Sequence, residues 1–139
     1  MSKRLSILAT LAALTSPAFA ADLEVAVHEV RGGEGRVKLM LFEREEGFRK
    51  EDKARQVLAL PITSGTVTGM FRALPPGRYA VIAYHDENGD DKLNLRFGMF
   101  PKEGYGLSNN PKISGPPKFK DAAFDVMEAG KRIAIHLAY

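Results

Sequence analysis

Apolar residues recur at every second position along most of this chain. Leu23, Val25 and Val27 alternate with Glu24, Ala26 and His28, and Val37, Leu39 and Leu41 resume the rhythm after the glycine-rich "RGGEG". Period two marks strands with one buried face, and the short turn between the two runs predicts a hairpin. "QVLALPI" and "TVTGMF" give two further strands. In "LPPGRYAVIAYHD", Pro76 and Gly77 predict a type II turn with positive φ at the glycine. Beyond that turn, Tyr79, Val81, Ala83 and His85 share one face of a strand, and Ala80, Ile82 and Tyr84 the other. Apolar residues on both faces predict a central strand covered on both sides. Ala122, Phe124 and Val126, then Ile133, Ile135, Leu137 and Tyr139, predict a closing hairpin around "EAGK". Seven or eight short strands with no long helical pattern predict an all-β fold, a single antiparallel β-sandwich, with a small closed barrel as the other arrangement considered.

One stretch lacks this rhythm. Leu95 to Lys120 carries four glycines and four prolines in 26 residues, longer than ordinary connections of about 4–6 residues and of the kind that carries function. Its apolar residues, Phe97, Met99, Phe100, Tyr105, Leu107, Ile113 and Phe119, predict an ordered excursion folded over the sandwich. Tyr105, Ser108, Asn109 and Asn110 are its candidate functional residues.

The N-terminus changes the charge argument. Lys3 and Arg4 precede an apolar run from Leu5 to Leu14 that is too short to span a bilayer. Pro17 and Ala18-Phe19-Ala20 then form an A-x-A cleavage signal. Residues 1–20 are therefore expected to be a cleaved secretory signal and residues 21–139 one mature domain, periplasmic or secreted. Losing Lys3 and Arg4 from 20 basic residues leaves 18 against 17 acidic, a net charge of +1. No concentrated basic face points to nucleic acid. The mixed run Glu43 to Gln56 reads as solvated surface, and no second apolar span predicts a transmembrane segment. Cysteine is absent, so stability rests on the core rather than on disulfides.

Candidate chemistry concentrates in "YHDENGDDKLN", residues Tyr84 to Asn94. Asp86, Asn88 and Asp90 alternate as the first three ligands of a calcium loop do. The carbonyl of Lys92 and the side chain of Asn94 fall at the next two ligand positions. Asp91 stands where an EF-hand has glycine and Phe97 where it has a bidentate glutamate, so the stretch is not an EF-hand. Glu103 is the expected completing ligand for a weak calcium site. The competing reading is a polar type I′ hairpin turn at Asn88-Gly89, and the two are compatible. His85, Asp86 and Glu103 could instead serve a small periplasmic enzyme, although no nucleophile elbow or fixed spacing supports one. His28, His85 and His136 show no metal-ligand spacing. The alternating C-terminus ending in Tyr139 imitates an outer-membrane barrel strand, but most strands here are shorter than the roughly 9–11 residues a membrane strand needs.

"LPPGRYAV" resembles the strand-entry motif of transthyretin-like and other immunoglobulin-like bacterial modules. "LPPGRYAVIAYHDENGDDKLN" together with "FPKEGYGLSNNPKISGPPKFKDAAFDV" resembles the exported bacterial family known as domain of unknown function 2141, across the whole mature chain. The matching positions are His85, Asp86, Asn88, Gly89, Lys92, Pro101, Glu103, Gly106, Ser108, Asn109 and Asn110. Asp90, Asp91 and Asn94 stand where that family often has Asn, Gly and Asp. The resemblance implies an exported β-rich module and supplies no reaction. The resulting expectation is a binding or accessory module for a small ligand or a cell-envelope component.

Overall fold

The computed structural model describes residues 19–96, 100–112 and 114–139. The expected signal segment falls almost entirely outside these residues, as do Phe97, Met99 and Ile113. The first strand, β1 (Ala21–His28), begins at the expected mature terminus. It is followed by β2 (Arg36–Phe42), β3 (Gln56–Pro61), β4 (Val67–Leu74) and the long β5 (Gly77–Asp86). A two-stranded ribbon of β6 (Leu95–Arg96) and β7 (Phe100–Pro101) precedes β8 (Tyr105–Leu107). A single helical turn, α1 (Phe119–Ala122), then leads to β9 (Phe124–Val126) and β10 (Lys131–His136).

Eight of these strands form two packed sheets, as the alternation predicts. One has the order β10-β1-β4. The other has the order β3-β2-β5-β8, with β9 alongside the first residues of β5. Between them lies a core of Leu23, Val25, Val27, Val37, Leu39, Leu41, Phe71, Tyr79, Val81, Ala83 and Ile135. Ala80, Ile82 and Tyr84, on the opposite face of β5, join Met40, Phe42, Phe48, Leu107, Phe119 and Ala122 in a second cluster. The larger sheet is thus covered on both faces, and β5 is the central strand its two apolar faces predict.

Several expected pairings are absent. β1 and β2 do not form a hairpin. They lie in different sheets, so the "RGGEG" link crosses the sandwich rather than reversing within one sheet. The closing hairpin is absent too, because β9 pairs with β5 while β10 runs parallel to β1. Gly77 starts a strand without positive φ, and Ala73 takes the left-handed conformation instead, at φ 55°. Asn88-Gly89 is not a type I′ turn, since only Gly89 has positive φ (70°) and β5 next pairs with β8 and β9. Alternation specifies which face a strand buries and leaves its partner open, which is why faces are read correctly and pairings are not.

The described parts of the excursion form β6, β7 and the start of α1, and also contribute β8 to the larger sheet. Tyr105 and Ala138 exchange backbone hydrogen bonds of 3.0 Å, tying that sheet to the chain just beyond β10. Gly106 permits this approach, because a Cβ there would lie 2.6 Å from the His136 carbonyl oxygen. The charged run Glu43 to Gln56 is mostly exposed, yet Phe48 is buried edge-on against Phe42 and Phe119.

Burial also sets an alkaline limit. It pushes the Tyr84 phenol well above its ordinary value, and the carboxylates of Glu51 and Asp86 add to the effect. A group whose folded pKa is raised contributes stability that is full below its unfolded value, about 10 for tyrosine, and lost as pH climbs above it. Urea unfolding is therefore expected to give a stability that falls above about pH 10, with a shallower fall in Tyr84→Phe. An identical fall in both proteins would contradict this assignment.

Candidate functional site

Antiparallel register sets Arg36 of β2 opposite Asp86 at the end of β5. The Asp86 side chain is fully buried, with Oδ2 3.6 Å from Arg36 Nε. Its Oδ1 accepts the Asp90 N–H at 3.1 Å and its Oδ2 the Asp91 N–H at 3.0 Å. The turn therefore wraps around its own first carboxylate. Asn88 Oδ1 accepts the Asp90 N–H at 3.2 Å, and Asp90 Oδ1 accepts the Lys92 N–H at 2.9 Å. These are successive Asx turns, in which a short polar side chain caps the amide two residues on. The Lys92 amide is the largest influence holding the Asp90 carboxyl below its usual range. The Asn94 amide group reaches back to the Lys92 carbonyl at 3.4 Å.

Asp91 adopts φ 61°, the left-handed conformation that aspartate tolerates better than most residues. It thereby fills the backbone role that a calcium loop gives to glycine. Its carboxylate lies 3.3 Å from Lys38 Nζ and 3.6 Å from Arg36 Nη2. Lys38, buried on β2, also meets Glu51 at 2.7 Å. Burial works to lower its pKa, and the hydrogen bonds to Glu51 and Asp91 outweigh burial and raise it.

Glu103 arrives from the excursion, as expected from the sequence. Its Oε1 accepts the Glu87 N–H and its Oε2 the Asn94 N–H, both at 3.1 Å. Backbone bonds from Lys102 to Asn94 and from His85 to Gly104, each 2.8 Å, zip the two segments together. Asp86, Asn88, Asp90, Lys92, Asn94 and Glu103 are thus brought to one place. Among the described residues no group of three or more His, Asp or Glu side chains is spaced to hold a metal ion.

His85 is buried beside this turn with both ring nitrogens engaged. Nε2 lies 2.8 Å from the Glu34 carbonyl and must donate to it, so in the neutral ring Nδ1 accepts from the Tyr139 hydroxyl at 2.8 Å. That hydroxyl in turn accepts the Arg31 N–H at 3.0 Å, and the Arg31 guanidinium lies 4.4 Å over the tyrosine ring. Two open depressions flank the turn. One, of about 570 Å³, is lined by Arg31, Glu34, His85, Glu87 and Tyr139. The other, of about 390 Å³, is lined by Arg36, Leu60, Pro61 and Gly89. Both are open to solvent and enclose little of any ligand.

Ser108, Asn109 and Asn110 do not join this end. Ser108 Oγ accepts the Val81 N–H at 2.9 Å and donates to the Ala122 carbonyl at 2.5 Å. Asn109 donates to the Ala123 carbonyl at 2.8 Å. Asn110 bonds both the Ala134 carbonyl and the His136 N–H at 2.9 Å, covering the free edge of β10 as a strand would. Tyr105 packs half-buried against the outer cluster. This block stitches β5, α1 and β10 together.

The profile of the family described as "Uncharacterized protein conserved in bacteria (DUF2141)" matches residues 25–134. The chain belongs to this family. The matched span runs from β1 to β10 and contains the whole Asp86–Glu103 constellation. No curated protein and no solved structure matches the chain. No helix among the described residues is long and apolar enough to cross a membrane. Sequence reasoning missed Arg36, Lys38, Glu51 and Tyr139 as partners of this end of the family domain. Only strand pairing brings them there, and no local pattern marks them.

Proposed function

We propose that this DUF2141 domain is an exported binding or accessory module whose binding end is the Asp86–Asn94 turn, and that the turn holds a calcium ion weakly. The observation that carries this reading is the run of Asp86, Asn88 and Asp90 side-chain oxygens accepting successive turn amides, with Asp91 in the left-handed conformation a calcium loop needs at that position. Carboxylate and amide oxygens have a second lone pair beyond the one the backbone N–H uses. Glu103, buried against the Glu87 and Asn94 amides at the two ends of the turn, is the expected completing ligand. Arg36 and Lys38 already neutralise part of the acidic charge, which argues for weak affinity.

Extracellular calcium modules bind with dissociation constants of about 0.1–1 mM. With a constant of about 0.1 mM, 10 mM calcium adds about 2.7 kcal/mol, a melting shift of about 10 °C for a domain of this size. Asn88→Ala with Asp90→Ala, both at exposed positions, should remove the shift, and Arg36→Gln should enlarge it. Equal melting temperatures in calcium and chelator would leave the turn as a self-satisfied polar loop.

Export rests on the basic, apolar and A-x-A pattern of residues 1–20. Intact-mass analysis from the native host is expected to give a chain beginning at Ala21, and a retained N-terminal segment would contradict export. Nothing in the arrangement favours the enzymatic alternative. The hydrogen-bonding atoms of His85, Asp86 and Glu103 are engaged chiefly by the protein's own backbone, with Tyr139 the exception at His85 Nδ1.

A further inference from the structure

Tyr139 closes one wall of the depression beside His85, and its side chain alone holds it there. The ring packs on the backbone of Gly104, where a Cβ would overlap it. The Arg31 guanidinium lies over the ring, 4.4 Å from its centroid. The hydroxyl is bonded twice, to His85 Nδ1 at 2.8 Å and to the Arg31 N–H at 3.0 Å. The Tyr139 backbone, by contrast, makes no hydrogen bond among the described residues, and the bridge of Ala138 to Tyr105 ends one residue before it. We infer that Gly104, Arg31 and His85 form a slot for a phenolic ligand, a small molecule with a hydroxyl on an aromatic ring, and that Tyr139 is its displaceable intramolecular occupant.

The slot supplies what a phenol needs. A guanidinium over the ring face is attracted by its π electrons. One donor and one acceptor meet the hydroxyl, which can both accept and donate. The acceptor is set before any ligand arrives, because His85 Nε2 donates to the Glu34 carbonyl and leaves Nδ1 of the neutral ring to accept. His85 is buried, so an aromatic ring without a hydroxyl leaves that nitrogen unsatisfied, and the slot selects for the hydroxyl. Rotation about the free backbone and χ1 of Tyr139 withdraws its ring without breaking a backbone bond. A second phenol then restores both hydroxyl bonds and the cation contact. The tether gives Tyr139 a high effective concentration, so a ligand competes by also using the adjoining depression of about 570 Å³, lined by Gly32, Gly33 and Glu34. That depression is shallow with Tyr139 in place and gains the volume of the ring when Tyr139 leaves. This site is separate from the calcium turn and does not rest on it.

The test titrates the mature protein with N-acetyl-tyrosinamide and follows the His85 and Tyr139 ring resonances by nuclear magnetic resonance. In Tyr139→Ala, one probe per chain is expected to bind saturably and to shift the His85 Nδ1 resonance. N-acetyl-phenylalaninamide, which lacks the hydroxyl, should bind about tenfold more weakly. Adding Gly104→Ala to Tyr139→Ala puts a methyl group into the slot and should abolish binding. The wild-type protein should bind the tyrosine probe at least about tenfold more weakly than Tyr139→Ala, with the Tyr139 ring resonances moving to solvent-exposed values in step with binding. Asn88→Ala with Asp90→Ala should leave this binding intact. If Tyr139→Ala does not fold, displacement of Tyr139 in the wild-type titration decides alone. No saturable binding in folded Tyr139→Ala, equal binding of the two probes, binding that survives Gly104→Ala, or a wild-type Tyr139 ring that stays in place throughout the titration would overturn the inference.

Discussion

Asp86→Ala, measured in chelator so that no ion contributes, is expected to lower stability by about 2–4 kcal/mol. The carboxylate is fully buried, and its removal strips the acceptor from the Asp90 and Asp91 amides. An orphaned polar group costs about 1–3 kcal/mol, and Arg36 loses its buried counter-charge as well. The melting temperature should fall by about 10 °C, and the denaturation midpoint should drop without a change in slope. Asp86→Asn retains one acceptor oxygen and should lose less. A loss under about 0.5 kcal/mol in Asp86→Ala would mean that the turn keeps its form without this anchor.

Ser108→Ala is expected to be comparably costly although it lies away from the binding end. Ser108 is fully buried, and its hydroxyl serves the Val81 N–H and the Ala122 carbonyl together. Its own N–H donates to the Val81 carbonyl at 2.9 Å, so the residue prolongs the β5–β8 ladder where β8 itself ends. Alanine leaves a donor in the central strand and an acceptor at α1 unsatisfied, a cost of about 2–6 kcal/mol at about 1–3 kcal/mol for each group. Calcium binding should be unaffected, which is the distinction from Asp86→Ala. A Ser108→Ala protein of normal stability but altered calcium affinity would return Ser108 to the functional site.

Local chemistry was legible in the sequence and long-range pairing was not. The alternation on β5 places Tyr79, Val81 and Ala83 in one core and Ala80, Ile82 and Tyr84 in the other, as the structure has them. Asp86, Asn88 and Asp90 each accept an amide of their own turn, and Glu103 from the excursion accepts the Glu87 and Asn94 amides at the two ends of that turn. What failed depended on partners distant in the chain. A glycine-rich link of five residues can reverse a strand within one sheet or carry it to another, and "RGGEG" does the second. The parallel β1–β10 pair, which brings His28 to His136, has no local signature at all. Ser108, Asn109 and Asn110 bond the backbone of β5, α1 and β10 instead of the Asp86–Asn94 turn, and a side chain that mimics a strand edge has the same composition as one that meets a ligand.

The central claim, that the Asp86–Asn94 turn binds calcium, is tested most directly by following backbone amide resonances of the ¹⁵N-labelled mature protein as calcium is added. Saturable shifts are expected at Glu87, Asp90, Asp91, Lys92 and Asn94 and across Lys102 to Gly104, with a dissociation constant of about 0.1–1 mM. They should vanish in the Asn88→Ala, Asp90→Ala protein. Shifts that do not saturate by about 10 mM, or that persist unchanged in that variant, would contradict the account.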